Sequence, residues 1–325
     1  MKRKLTLLFL VLSIGLFALK NWETYTNTTH IYDAVQYNGK FYFATWGGII
    51  QYDESGELKD EKLTTVNGLS ANDIRSLAVN EDTNSLLMAT STSGIDRISG
   101  EDFILPISEI IGLPSSKINK VIYEDATIYV ASKMGISVFQ ENPEYPIPVL
   151  ISNFNVDDGL SSNDITSLEL TESGYLFCGS FLGLDYIHID SLQVESAWHN
   201  LNEDNSALLS RNITSISAHQ NILAVGTKAG LAVADLTDMS WQIYDQTDFD
   251  NEAESVYPVK VDTNNDIWFG LGYWNESDLM VEDSTDIAVC KLDDLGEISF
   301  WNKSELGLLN TRINSIKQIG DELYF

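Results

Sequence analysis

From Ile31 onward the hydrophobic positions come in short alternating runs, as in Ile31-Tyr-Asp-Ala-Val-Gln-Tyr37, separated by polar turns such as Asn38-Gly39 and Glu172-Ser173-Gly174. Alternation at period two, with β-branched and aromatic residues on the apolar side, predicts half-buried strands joined by tight hairpins. No stretch beyond residue 20 sustains the 3.6-residue spacing of an amphipathic helix. The expectation is a nearly all-β chain.

The runs repeat. Ile31–Asp53, Ile118–Gln140 and Ile213–Asp235 align without a gap, and Ile165–His188 and Ile74–Ser99 join them with one or three residues added in the first hairpin. A degenerate sixth copy starts at Val256, and a seventh starts at Ile313 and reaches the last residue, Phe325. Successive starts are 43, 44, 47, 48, 43 and 57 residues apart, one period of about 44 with loop insertions. Each copy reads as a strand, a hairpin, a second strand ending in a small residue, a glycine and a third strand. An aromatic then opens a fourth segment, at Trp22, Trp198, Trp241 and Trp301. Four strands per unit describe a propeller blade. A solenoid with repeats this long would carry helices, and separate sandwiches would not hold one register through seven starts. The predicted architecture is an all-β propeller of four-stranded blades, seven in number, the last one truncated, with Trp22–Thr26 as a strand able to close the ring.

Charge and the N-terminus refine this. The chain has 19 Lys and Arg against 48 Asp and Glu, a net charge of -29. That balance argues against nucleic acid and anionic membrane surfaces as partners, since both require clustered cations. Lys2-Arg3-Lys4 precede an apolar run from Leu5 to Leu19, the pattern of a secretory leader. The predicted division is therefore residues 1–20 as signal peptide and 21–325 as propeller, incomplete at its C-terminus, in an extracytoplasmic setting: periplasm, cell surface or medium. A cut after Ala18 would place bulky Leu16 where a small residue is preferred, so an uncleaved N-terminal anchor is the alternative. Cys178 and Cys290 fall on strands a whole blade apart, too far to bridge, and should be buried thiols.

Asn67-Gly-Leu-Ser-Ala-Asn-Asp-Ile74 and Asp158-Gly-Leu-Ser-Ser-Asn-Asp-Ile165 are the best copies of the repeat consensus. Over residues 22–325 this resembles the two-component regulator propeller repeat of periplasmic sensor regions. It is also similar to the N-terminal propeller of the surface-attachment component of type IX secretion systems. The resemblance implies a non-enzymatic binding or sensing module, in the one case the sensor region of a two-component system and in the other a secretion component. A propeller hydrolase or lyase is the third reading, and it requires carboxylates or histidines gathered from several blades at the channel mouth.

In a four-stranded blade the loops between strands two and three share a face with those leading into strand one. Alignment therefore brings Trp46, Thr92, Lys133, Phe181 and Lys228 to the channel mouth, with Asp73 and Asp164 and their neighbouring Asn72 and Asn163 expected as turn formers that bond local backbone. Trp46 and Phe181 are candidate stacking surfaces, and Lys133 and Lys228 candidate polar contacts. The sixth copy inserts Tyr273-Trp274-Asn275-Glu276-Ser277-Asp278 onward; insertions in repeats often fall on the binding face, and neutral drift of a surface loop is the competing reading. The candidate ligand or partner site is thus Trp46, Lys133, Phe181, Lys228, Tyr273, Trp274, Glu276 and Asp278, for a small ligand, protein or glycan. Asp262-Thr-Asn264-Asn-Asp266 has alternating oxygens but no glycine at the sixth position, and it reads as a hairpin turn. No catalytic residue, cofactor or metal is assigned. His30, His188, His199 and His219 lack ligand spacing, and no nucleophile elbow or phosphate loop occurs.

Overall fold

A computed structural model describes residues 26–325 apart from 54, 56–57, 59–61, 82, 101, 143–144, 146, 195–196, 250–252, 276–279, 284–285 and 309–310. The leader and Trp22–Tyr25 of the proposed closing strand lie outside the described residues. The remainder is a β-propeller. Blade two is Ile74–Asn80, Ser85–Thr90, Ile95–Ser99 and Asp102–Ile107, an antiparallel meander with the first strand at one edge and the fourth at the other. Blades three, four and five repeat this order from first strands Ile118–Glu124, Ile165–Leu170 and Ile213–His219. Blade one has three strands, Ile31–Tyr37, Lys40–Thr45 and Gly48–Asp53, and single bridges from Leu58 and Leu63 stand where a fourth would pair.

Six blades form, not the seven that the repeat starts predict. The seventh copy yields a two-stranded sheet, Lys317–Ile319 and Glu322–Tyr324, whose first strand begins four residues after Ile313. Its stretch Ile313–Phe325 has room for one hairpin. It still fills the gap between blades six and one. Ile313 and Ile316 pack on Ala288 and Val289 of blade six, and the Tyr324 ring meets Phe41 of blade one at 5.7 Å.

The core lies between blades. Ala44 and Ile49 of blade one pack with Ile74, Leu77 and Met88 of blade two, and Ala224 and Leu231 of blade five with Val259 and Phe269 of blade six. Facing sheets bury these alternate positions, which is why each strand reads apolar every second residue. A charged staple joins blades two and three: Arg97 and Glu141 pair at 3% and 4% side-chain exposure, and Asn80 donates to the same carboxylate.

The small residue that ends each second strand also has a structural cause. The hydroxyls of Thr45, Thr90, Ser132, Ser180 and Thr227 each donate to the carbonyl of the following glycine, at 2.7 to 3.2 Å, and clasp the turn to strand three. At Gly135, φ is +102° and an added Cβ would lie 1.9 Å from the Phe154 carbonyl oxygen, so only glycine fits. In the sixth copy the hydroxyl position is Leu271, which cannot clasp. The strand there runs on as Ile267–Asn275 and returns as Met280–Asp283, so the insertion is a hairpin extension of blade six.

Cys178 in blade four and Cys290 in blade six are separate, buried thiols, and burial pushes both well above the ordinary thiol range. Ellman's reagent should therefore find essentially no reactive thiol in the folded protein and two per chain in guanidinium.

Candidate binding channel

The first strands surround the propeller axis, and each carries an irregularity that the alternating pattern conceals. Pairing with strand two shifts between Ile31 and Asp33, Ile74 and Ser76, Ile118 and Lys120, Ile165 and Ser167, and Ile213 and Ser215. The sixth copy shifts between Val256 and Val259. One residue after each of the first five repeat starts, and two, Tyr257 and Pro258, after the sixth, are thus left out of the ladder, and a bulge of this kind re-aims a side chain. The bulged column, continued by Asn314 of the seventh copy, is Tyr32, Arg75, Asn119, Thr166, Thr214, Tyr257 and Asn314. All seven are polar and all line one axial cavity of about 500 Å³.

Below this ring, side-chain oxygens seal the exposed edge of the next blade's first strand. Asp33 accepts from Leu77 N–H at 3.1 Å, Ser76 from Val121 N–H at 3.4 Å and Ser215 from Val259 N–H at 3.1 Å. Two residues further along, Glu169 accepts from Ala218 N–H at 2.9 Å and Ser217 from Val261 N–H at 3.1 Å. Otherwise these edge N–H groups would face the lumen without a protein partner. The oxygen-bearing residues at these two repeat positions therefore have a structural duty. The lysines that occupy the same positions in other copies, Lys120, Lys260 and Lys317, cannot perform it, because an ammonium only donates.

Those lysines dominate the electrostatics. Lys120 Nζ crosses from blade three to Asp33 Oδ2 at 3.2 Å, and Lys317 Nζ reaches Asp33 Oδ1 at 2.7 Å. The Asp33 carboxylate also accepts from Ala34 N–H at 2.9 Å and the Ser76 hydroxyl at 3.0 Å. Burial works against its charge, but the two lysines outweigh burial and hold the carboxyl far below the ordinary range. Burial draws Lys120 down in spite of Asp33, whereas the Asp33 contact carries Lys317 upward against the same penalty. Lys260 is lowered, chiefly by burial; it feels Glu169 and Asp262 at longer range and forms no ion pair among the described residues. Arg75 lies nearer the ring, paired with Asp73 at 2.7 Å and 4.5 Å above the Tyr32 ring. The lining of a chain with net charge -29 thus carries four cationic side chains and one carboxylate, Glu169.

None of the residues expected at the mouth is among those lining the cavity. Residues next to the strand-two turns donate to the residue before strand one, Ser91 N–H to the Asp73 carbonyl at 3.0 Å and Lys228 N–H to that of Asn212 at 3.1 Å, so the two loop sets share one face. Trp46 is 53% exposed, with its ring edge-on to His30 at 5.9 Å. Lys133 pairs with Asp164 of the next blade at 2.9 Å, Phe181 and Lys228 are half-buried, and Tyr273 is exposed on the blade-six hairpin. Trp274 pairs with Val281 through the backbone of that hairpin, and Glu276 and Asp278 lie outside the described residues. Each of these positions belongs to its own blade or to the hairpin.

Two expectations about turns divide. Asp262 is a turn residue: its Oδ1 accepts from the N–H groups of Asn264 and Asp266 at 2.8 and 3.0 Å. Asp73 and Asp164 are not local turn formers. Asp164 bridges to Asn119 and Lys133 of blade three, and Asp73 pairs with Arg75. The adjacent Asn72 and Asn163 do the local work, accepting from Thr65 and Val156 N–H. An amide can turn to a nearby N–H, while each aspartate has a cation within reach.

The bulged ring and the lysine layer were absent from the sequence-based candidates. The ring's signal was present as the column following each repeat start, polar in all seven copies and followed by a second column that is polar in all but Pro258, so that two polar positions in a row interrupt the alternation.

Neither a protein-family model nor a curated protein sequence matches the chain. Solved structures do. The extracellular domain of the putative one component system BT4673 from B. thetaiotaomicron matches with TM-score 0.67 at 16% identity, over 92% of this chain and 39% of that one. The extracellular domain of the putative hybrid two component system BT3049, from the same organism, gives 0.66 at 15% over 90% and 38%. PorZ, a surface component of the type-IX secretion system of Porphyromonas gingivalis, gives 0.61 at 13% over 86% and 34%. These are the two kinds of protein that the repeat resembles, and at this identity the likeness establishes the propeller fold. The chain spans less than two fifths of the length of each. Among the described residues no helix is long and apolar enough to cross a membrane.

Proposed function

We propose that this chain is a non-enzymatic, extracytoplasmic propeller module that recognises a ligand at the mouth of its central channel, as the sensor region of a two-component system would. The observation that carries this reading is the ring of seven polar side chains, six of them at bulges, that lines a cavity of about 500 Å³. That volume lies within the range of small-molecule sites. Glu169 is the one carboxylate of the lining and has lysines for neighbours, which suits binding better than the paired acids of a hydrolase or lyase. Trp46 and Tyr273 on the rim supply exposed aromatic surface for the outer part of a ligand or for a partner. A role as a type IX secretion component is the alternative, supported by the likeness to PorZ.

A thermal-shift screen of sugars, peptides and small acids tests the site. Ligands that stabilise the wild-type protein should fail to stabilise Thr166→Trp, which fills the mouth. Equal stabilisation of both proteins would move the site off the channel, and its loss in Trp46→Ala/Tyr273→Ala alone would place it on the rim.

A further inference from the structure

Resting on the channel reading, the charge balance of the lumen identifies the class of ligand. Asp33 is satisfied several times over: it holds two ammonium groups and accepts three further hydrogen bonds. One carboxylate cannot neutralise both Lys120 and Lys317. Glu169 accepts from the Ala218 N–H and keeps its charge near all three lysines, so three ammonium groups face two carboxylates and one positive charge is left over; Lys260 has no ion pair among the described residues. If staples between blades were all that the fold required here, one lysine on Asp33 would suffice, or a serine as in blade five. The layer instead concentrates positive charge within a few residues of the axis of a strongly acidic protein. Charges held in a confined lumen attract a counter-charge more strongly than the same groups on the outer surface.

We propose that the channel binds a small organic anion, its carboxylate or phosphate group held between Lys120, Lys260 and Lys317 and its polar body against Thr166 and Asn119. The lysines provide a charge-assisted cradle, and the hydroxyl and amide groups nearer the mouth provide partners for the remainder of the molecule. The exterior charge of the chain slows entry of an anion without cancelling the pocket. At physiological salt the exterior field is screened over about 8 Å.

Calorimetry on the full chain at low ionic strength, with citrate, inorganic phosphate and glucose as probes, tests the assignment. Citrate or phosphate should bind the wild-type protein, and Lys260→Met should weaken that binding at least tenfold. Because Lys260 holds no ion pair among the described residues, the variant should melt within a few degrees of wild type; Lys260→Gln serves as the second variant if it does not. The assignment is overturned if neither anion binds, or if both variants bind as wild type does, which would mark an exterior site. Glucose binding in the channel, lost in Thr166→Trp and kept in Lys260→Met, would remove the anion and leave the channel reading intact.

Discussion

Asp33→Ala should lower the unfolding free energy by about 3 kcal/mol, measured by urea denaturation, because it strands two ammonium groups that share one carboxylate. The carboxylate is 1% exposed, whereas Lys120 and Lys317 keep 26% and 28% of their side-chain surface open to the lumen. Lumen water therefore screens the stranded charges, and the estimate sits at the low end of the range for broken buried pairs. The variant also removes the acceptor that seals the Leu77 N–H. The pH dependence has a definite sign. The folded-state carboxyl is held below its ordinary value, so its contribution is fully present above the unfolded value of about 3.9 and is lost as pH falls through the lower folded value. Asp33→Asn should then differ most from wild type near neutrality and converge with it in acid. A gap that stayed constant from pH 6 to pH 2.5 would show that the charge of Asp33 is not what stabilises the ring.

The second large effect is expected at the staple between blades two and three. Glu141→Ala should cost about 3 to 5 kcal/mol, since it leaves the Arg97 guanidinium nearly fully buried with its charge partner gone. The melting temperature should fall by roughly 6 to 10 °C for a chain of this size. The double variant Arg97→Met/Glu141→Leu should recover most of the loss, because apolar replacements of both partners remove the desolvation cost together with the attraction. Failure of the double variant to recover would mean that the Asn80 contact to the same carboxylate, and not the ion pair, holds the blades together.

The parts of this molecule that were legible in the sequence are those written in local periodicity. Alternation placed the strands, the repeat starts fixed the blade frame, and the recurring Thr or Ser before glycine marked the clasped turns. Leu271 at a clasp position was equally legible as the place where the strand would run on. The channel was harder to read. A bulge at each repeat start breaks the two-residue alternation, so a column that looks outward by period is turned to the axis. The pairing of Asp33 with Lys120 joins residues 87 apart, on blades that are not neighbours in the ring, and only closure of the propeller brings them together. The aspartates before the first strands were misread for a related reason: their cations come from the adjoining blade or from the bulged position, and a turn motif shows neither. The blade count differs at the seventh start, where Lys317–Ile319 and Glu322–Tyr324 form a two-stranded sheet in place of a four-stranded blade.

Crystals of the chain soaked with selenate locate the anion site, since selenium reports its own position by anomalous scattering. A selenium peak is expected on the propeller axis within hydrogen-bond reach of at least two of Lys120, Lys260 and Lys317, absent from Lys260→Met crystals. Peaks confined to the rim or the outer strands, with a channel holding water alone, would contradict that expectation.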